Sequence, residues 1–342
     1  MGEIQRRKKD HILGAMDTQS AVSAVDAGFG DYRFEHNALP EMDFTEIDTS
    51  INFLGRELKI PLIISPLTGE NEGEERINRN LAGIAHDFGL GMSVGSQRIA
   101  FEDSSYENSF KIRRYAPNVL LFANLGAVQL NYGYSVDECK RAIDMIEADA
   151  IVLHLNPMQE VFQLDGNVKF SGLLKKIEKI CAALKYPVIV KEVGYGISAS
   201  VAEKLQSAGV YAVDVAGAGS VSWSNIESKR SSDIVVKKAA EAFSDWGNPT
   251  VECIKAVNEI RKKMKIIASG GVKNGVDMAK SIALGADVCA NAFNFLHTIM
   301  ISRSDCENYV ESLSLELKTA MFCAGCRNIQ ELKKVKLLKK NN

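Results

Sequence analysis

The chain has 342 residues, 46% of them hydrophobic and 25% charged, which is apolar material enough for a sizeable core. A formal net charge of −2 offers no global attraction to nucleic acid or to a membrane surface, and neither is expected as a partner. No apolar run approaches the ~20 residues of a membrane-spanning helix, the basic opening MGEIQRRKKDHI has no apolar stretch behind it to make a secretory leader, and seven cysteines, an odd number in mostly apolar segments, suit a reduced cytoplasmic chain.

Residues 1–59 read as a basic arm and lead-in, 60–300 as the main body, and 301–342 as C-terminal helices, together one domain. Within the body, eight short apolar runs alternate with longer helical patterns. The runs are Ile60–Ser65, Leu90–Val94, Val119–Ala123, Ala150–Leu155, Pro187–Glu192, Val210–Val215, Lys265–Ser269 and Asp287–Ala292. Helices are expected near Ser135–Glu147, Ser198–Ser207 and Gly275–Leu284. The runs are almost wholly apolar rather than alternating, as strands are when both sheet faces are covered. Eight of them with helices between predict a (β/α)₈ barrel; a doubly wound open sheet is the rival. Two long polar connections, Asn156–Gly172 and Gly217–Pro249, leave the C-terminal ends of runs four and six, where a barrel builds its active site. The lysine-rich tail, Lys333–Asn342, reads as a solvated helix end.

Polar residues that a buried strand would not choose stand at the ends of these runs: Ser65 and Thr68, Ser93 and Ser96, Asn124, His154 and Asn156, Lys191 and Glu192, Asp214, and Ser269. In a barrel they converge on one rim. Lys191 ends the run VIVK; it serves either a structural ion pair with Glu192 or Asp214, or as a cation for an anionic ligand or an electron-rich ring. Gly217 and Gly219 follow run six, and Gly270 and Gly271 follow run seven with a helix behind them. Such turns are either tight connections or a backbone cradle for a phosphate-bearing cofactor. The segment HLNPMQE places His154, Asn156, Gln159 and Glu160 on one loop, a set suited to hydrogen bonding an ester, with Glu160 able to hold a hard cation such as Mg²⁺. The head, with Arg6, Arg7, Lys8, Lys9 and His11, is a flexible basic tail or an anion clamp over the rim. Cys323 and Cys326 form a lone C-x-x-C with no second pair at ribbon spacing.

Taken together, RKKDHI, PLIISPLTG, GMSVGSQR, FANLGAVQL, HLNPMQEVFQLDG, VIVKEVGYGIS, DVAGAG, WGNPT, SGGVKNG and AMFCAGCRNIQEL, in this order over nearly the whole chain, resemble the type 2 isopentenyl diphosphate isomerases, which depend on FMN. The resemblance implies interconversion of isopentenyl and dimethylallyl diphosphate by a 1,3-allylic proton shift. Reduced flavin serves as the acid/base, NADPH or another reductant reduces it, Mg²⁺ binds the diphosphate, and the chain forms a homo-oligomer, a tetramer or octamer. Carried over by residue, it implies that Arg7, Lys8, His11, Arg98, His154 and Asn156 contact the diphosphate, with Ser96 at both ligands. Gln159 lies beside the carbon skeleton, and Glu160 binds the metal. Ser65, Thr68, Gly69, Asn124 and Lys191 hold the flavin ring, and Gly270, Gly271 and Lys273 approach its phosphate. Gln159, His154 and Lys191 form the catalytic set. Glu70, Ser220-Val221, Lys273 and the segment CANAFNF depart from the usual family pattern, all on the flavin side, and Ser220 or Ser222 can replace a hydroxyl missing at the phosphate.

Other readings have features the chain lacks. A 2-hydroxy acid oxidase needs a histidine base near strand seven, and no histidine lies between His154 and His297. An inosinate dehydrogenase type of enzyme needs a cysteine in the loop after strand six, where AGAGSVSW stands. A diverged enzyme for another prenyl diphosphate, or a non-catalytic flavin or prenyl-diphosphate binder, is the alternative.

Overall fold

A computed structural model describes residues 23–66 and 72–340, with the backbone alone at 72–74. Arg7, Lys8, His11, Thr68 and Gly69, and with them Glu70, lie outside the described residues.

Eight parallel strands close into a barrel: β1 (Leu62–Ile64), β2 (Gly91–Ser93), β3 (Leu120–Gly126), β4 (Ala150–His154), β5 (Val188–Lys191), β6 (Ala212–Asp214), β7 (Lys265–Ala268) and β8 (Val288–Asn291). They follow chain order around the barrel, and β8 pairs back onto β1 through Cys289↔Leu62, Ala290↔Ile63 and Asn291↔Ile64. That closure excludes the open sheet. The expected helices are present at Val136–Ile146, Ala199–Ser207 and Gly275–Ala283. The first starts at a reciprocal cap in which the Ser135 hydroxyl and the Glu138 carboxylate satisfy backbone amides that the helix cannot.

The uniformly apolar strands hide a period of two. Ile63, Leu120, Phe122, Ala150, Val152, Ile189, Ala212, Ile267, Val288 and Ala290 form one core inside the barrel. Their neighbours Leu62, Ile64, Leu121, Ala123, Ile151, Leu153, Val190, Val213 and Cys289 belong to a second core between strands and helices. Successive side chains in a strand point to opposite faces, so every strand but β2, which gives only Met92 to the outer core, feeds both cores.

The inner core has a plug that periodicity does not reveal. An antiparallel hairpin, Ile51–Phe53 with Arg56–Leu58, sends Phe53 and Leu58 into the cluster of inward strand residues. The lead-in and the tail also meet, with Tyr32–Arg33 pairing with Leu338–Lys339. The tail is a largely exposed helix end, as its lysines suggested, in that Lys333 caps the helix Ile329–Leu332, but it also carries that short strand, and Lys333 Nζ reaches the Asp287 carboxylate at 2.8 Å.

Candidate active site

Extending the inward register by one step of two generates the site. Beyond Ile63 comes Ser65, beyond Phe122 Asn124, beyond Val152 His154, beyond Ile189 Lys191, beyond Ala212 Asp214 and beyond Ile267 Ser269. At the C-terminal rim the barrel's interior thus changes from apolar to polar, and a cavity of about 510 Å³ opens there, lined by Ser65, Asn124, His154, Lys191 and Ser269 among others. That volume suits a small-molecule or cofactor site. Gly95, Ser96, Gln159, Gly270, Gly271 and Lys273 also line it.

Lys191 answers both alternatives posed for it. Its Nζ donates to the Glu192 carbonyl at 2.7 Å and stands 3.6 Å from Asp214 Oδ2, yet the side chain also faces the cavity. Glu192, out of phase with the inward residues, turns away. One of its carboxylate oxygens accepts the amides of Val193, Gly194, Tyr195 and Gly196 at 2.6, 2.7, 2.5 and 3.3 Å. Burial pushes this carboxyl up to about 7, against the opposing pull of those amides and of Lys191. Its four bonds shape the turn whose Val193 and Gly194 form one cavity wall. On the neighbouring strand, in register with Lys191, His154 Nδ1 donates to Asn124 Oδ1 at 2.8 Å, which fixes the imidazole plane.

The loop after β4 separates residues expected together. Gln159 lines the cavity, but Asn156 and Glu160 do not; they are buried beside it. Asn156 Nδ2 donates to Gln159 Oε1 at 3.1 Å and to Glu160 Oε1 at 2.9 Å, and Asn167 N donates to Glu160 Oε2 at 2.6 Å. Arg98 is likewise away from the cavity, ion-paired with Glu102 at 3.2 Å across one helical turn. Ser222 does not line the cavity either: its buried hydroxyl bonds Ser224 Oγ at 3.0 Å, while Ser220 takes a place on the cavity wall.

The glycine turns after β6 and β7 pack on each other. A Cβ at Gly270 would strike Gly217 O, and one at Gly271 would meet Gly219 O at 2.5 Å. Both have positive φ, 94° and 71°, where L side chains are strained. Thr250 fastens the pair, its hydroxyl reaching the carbonyls of Ala218 and Ser269 at 3.3 Å and that of Gly270. The WGNPT segment that supplies Thr250 thus holds two rim loops together. Since Gly219, Gly270 and Gly271 also line the cavity, tight packing and backbone access to a ligand coexist.

Several cavity residues escaped sequence reasoning. Trp223, Phe293 and Asn294 line the cavity from the first turns of the helices Trp223–Arg230 and Phe293–Ile301 rather than from strand ends. Asn291, in the segment CANAFNF, donates to Val272 O at 2.6 Å, and Asn294 donates to Lys273 O at 3.2 Å, so the eighth strand end secures the loop carrying Lys273. The amide-rich spelling of that segment was the available signal.

The donor set suits a flavin mononucleotide. Ser65 Oγ is buried with no hydrogen-bond partner among the described residues, beside a cradle of glycines and two cavity lysines; such a buried hydroxyl suits a ligand group. For Mg²⁺ the set is sparser. Among the described residues no group of three or more His, Cys, Asp or Glu side chains could hold a metal. Glu160 and Asn156 Oδ1, the latter with no hydrogen-bond partner among the described residues, supply oxygen donors that fit a hard cation otherwise satisfied by ligand phosphates and water. Burial pushes Cys253 up to about 12 and Cys326 up to about 11, and Cys323 and Cys326 are both free.

Residues 2–110 and 144–339 match the model of the FMN-dependent dehydrogenase family. The isopentenyl-diphosphate delta-isomerase of Nostoc sp. is 48% identical over 97% of this chain and 95% of that protein. The one from Oceanobacillus iheyensis is 46% identical, covering 96% and 95%. This chain belongs to the FMN-dependent isopentenyl-diphosphate delta-isomerase family. The fold is shared more widely: mandelate oxidase with benzoyl-formic acid superimposes with a TM-score of 0.67 at 16% identity, covering 95% of this chain and 94% of that one. A mandelate oxidase variant with (S)-mandelic acid gives 0.69 at 17% identity, covering 96% and 95%.

Proposed function

We propose that this member of the isopentenyl-diphosphate delta-isomerase family interconverts isopentenyl and dimethylallyl diphosphate, with FMN in the barrel-mouth cavity and Mg²⁺ at Glu160. The observation that carries the reading is the meeting of Gln159 with Lys191 and His154 in one cavity walled by glycine turns. FMN, when bound and reduced, would supply an electron-rich ring able to exchange a proton with the allylic carbons without net redox change. Lys191 presents a cation to that ring's electron-rich edge, and Ser65 and Asn124 offer it hydrogen-bonding groups. Gly270, Gly271 and Lys273 meet its phosphate. Gln159 sits where the five-carbon skeleton lies and orients it. His154, held by Asn124, faces the diphosphate. The apolar barrel interior beneath keeps water from the reacting carbons, where bulk solvent would quench a carbocation-like state.

Hydroxy-acid oxidation fits less well. His297, the histidine following the seventh strand, is exposed and stacked on Phe293 rather than lining the cavity. The same family reading makes the chain a cytoplasmic homo-oligomer. Exposed Val161, Leu164, Val235 and Trp246 on the long loops after β4 and β6 support an apolar contact surface.

The deciding experiment assays isopentenyl diphosphate turnover with FMN, Mg²⁺ and a reductant such as NADPH. Turnover is expected only when flavin is reduced and Mg²⁺ is present. A protein that binds no FMN, or that isomerises equally with oxidised flavin, sinks the proposal.

A further inference from the structure

Three adjacent strands end in a connected set beneath the cavity. Lys191 of β5 and Asp214 of β6 are direct partners in the strand register, as are Asp214 and Ile267 of β7, two residues before Ser269. Asp214 is 4% exposed and stands with Oδ2 at 3.6 Å from Lys191 Nζ, while its Oδ1 accepts the Ser269 hydroxyl. It does not line the cavity; Lys191 and Ser269 do. An ammonium has three donors. The Glu192 carbonyl takes one and the Asp214 carboxylate draws a second, which leaves the third for whatever occupies the cavity.

We infer that Asp214 is a positioning residue for Lys191: it aims the ammonium at the ligand and, with Ser269 fixing its own carboxylate, sets how much uncompensated positive charge that ligand meets. The inference rests on the flavin reading above. A buried carboxylate behind a cavity-facing cation acts as a counterweight. A ligand whose electron-rich form is stabilised by Lys191 is stabilised less while Asp214 is ionised, because both charges act through the same poorly solvated site. Ser269 keeps the carboxylate on the Lys191 side, so the balance is a property of three strand ends.

The test measures FMN affinity in the oxidised and reduced states for wild type, Asp214→Asn, Ser269→Ala and Lys191→Met, and for each of the first two substitutions in the Lys191→Met background. Asp214→Asn is expected to raise the preference for reduced over oxidised FMN by about tenfold, the size of coupling seen between contacting charges, or about 30 mV for a two-electron couple. With Lys191→Met already in place the same substitution should change the ratio less than about twofold, since coupled neighbours are non-additive. Ser269→Ala, which keeps the charge and is the milder change if Asp214→Asn does not fold, should give a smaller shift with the same dependence on Lys191. A role in stability alone would lower the melting temperature and leave the ratio where it was. Equal shifts in both backgrounds, or no shift in either, overturn the assignment of Asp214. A wild type that takes up no FMN overturns instead the flavin reading beneath it.

Discussion

The two ends of the barrel use the same residue types for opposite purposes. At the N-terminal base, Asp149 precedes β4 and Asp287 precedes β8, and each accepts an amide from the preceding strand, Leu121 N at 2.9 Å and Ile266 N at 3.0 Å. Cations then close around them: Arg56 and Arg113 on Asp149 at 3.0 and 3.1 Å, Arg261 and Lys333 on Asp287 at 2.6 and 2.8 Å. At the C-terminal rim, Ser65 Oγ and Asn156 Oδ1 are buried with no partner among the described residues, and Lys191 faces the cavity. The base is saturated and the rim is not. Leaving a buried polar group unpaired costs free energy, so the rim is less stable than it could be until a ligand completes it. Stability and chemistry are thereby placed on opposite faces of one fold.

The largest effect that separates the two ends is expected at Gln159. Gln159→Asn should lower kcat by about a hundredfold or more, the scale of a lost proton-transfer or orienting group, with FMN affinity and thermal midpoint little changed; full activity in that variant refutes the site. Asp287→Ala should do the reverse, lowering unfolding free energy by about 3 kcal/mol because Arg261, Lys333 and Lys265, the last at 3.7 Å, lose their buried anion, while turnover of the folded enzyme is kept. Acid titration sharpens this. Burial raises the Asp287 carboxyl, but Lys333 and Arg261 outweigh it and hold the folded value below 3.8. Its stabilisation is thus present above pH 3.8 and lost as pH falls through the lower folded value. Wild type should lose its advantage over the variant in that window, and a constant gap in denaturant midpoint would contradict the assignment.

Smaller changes test the rim itself. Gly270→Ala should destabilise the fold by about 1–3 kcal/mol, from φ strain and contact with Gly217, and weaken FMN more than it weakens Mg²⁺ dependence, as flavin and metal titrations would show. Glu160→Gln preserves the bond from Asn156 and should raise the Mg²⁺ concentration for half-maximal rate by about tenfold; an unchanged titration removes Glu160 from the metal. Ser65→Ala should leave apoprotein stability unchanged or slightly higher, since its hydroxyl has no partner among the described residues, and weaken FMN by about fivefold in a fluorescence titration.

Composition and pattern were enough to read the eight strands and the closed architecture, because runs of Val, Ile, Leu and Ala of strand length, spaced by amphipathic helices, have few ways to bury themselves. The polar residues at run ends were legible for the same reason: a strand that is apolar throughout has no local use for Asn124, His154 or Lys191. Distance was not legible. Sequence adjacency joins Asn156, Gln159 and Glu160, all three buried, yet the helix Pro157–Phe162 and its N-cap Asn156 bring only Gln159 to the cavity lining. Lys191 could have paired with Glu192 or with Asp214, and strand parity decided it, turning Glu192 away into four amides and aligning Asp214 beside the lysine. Phe53 and Leu58, two apolar residues of an unremarked hairpin, became the barrel's plug. The sequence by itself determined which residues were too polar for the core. Only the tertiary structure decided which of them share a cavity, because that depends on strand register and closure, which no local pattern encodes.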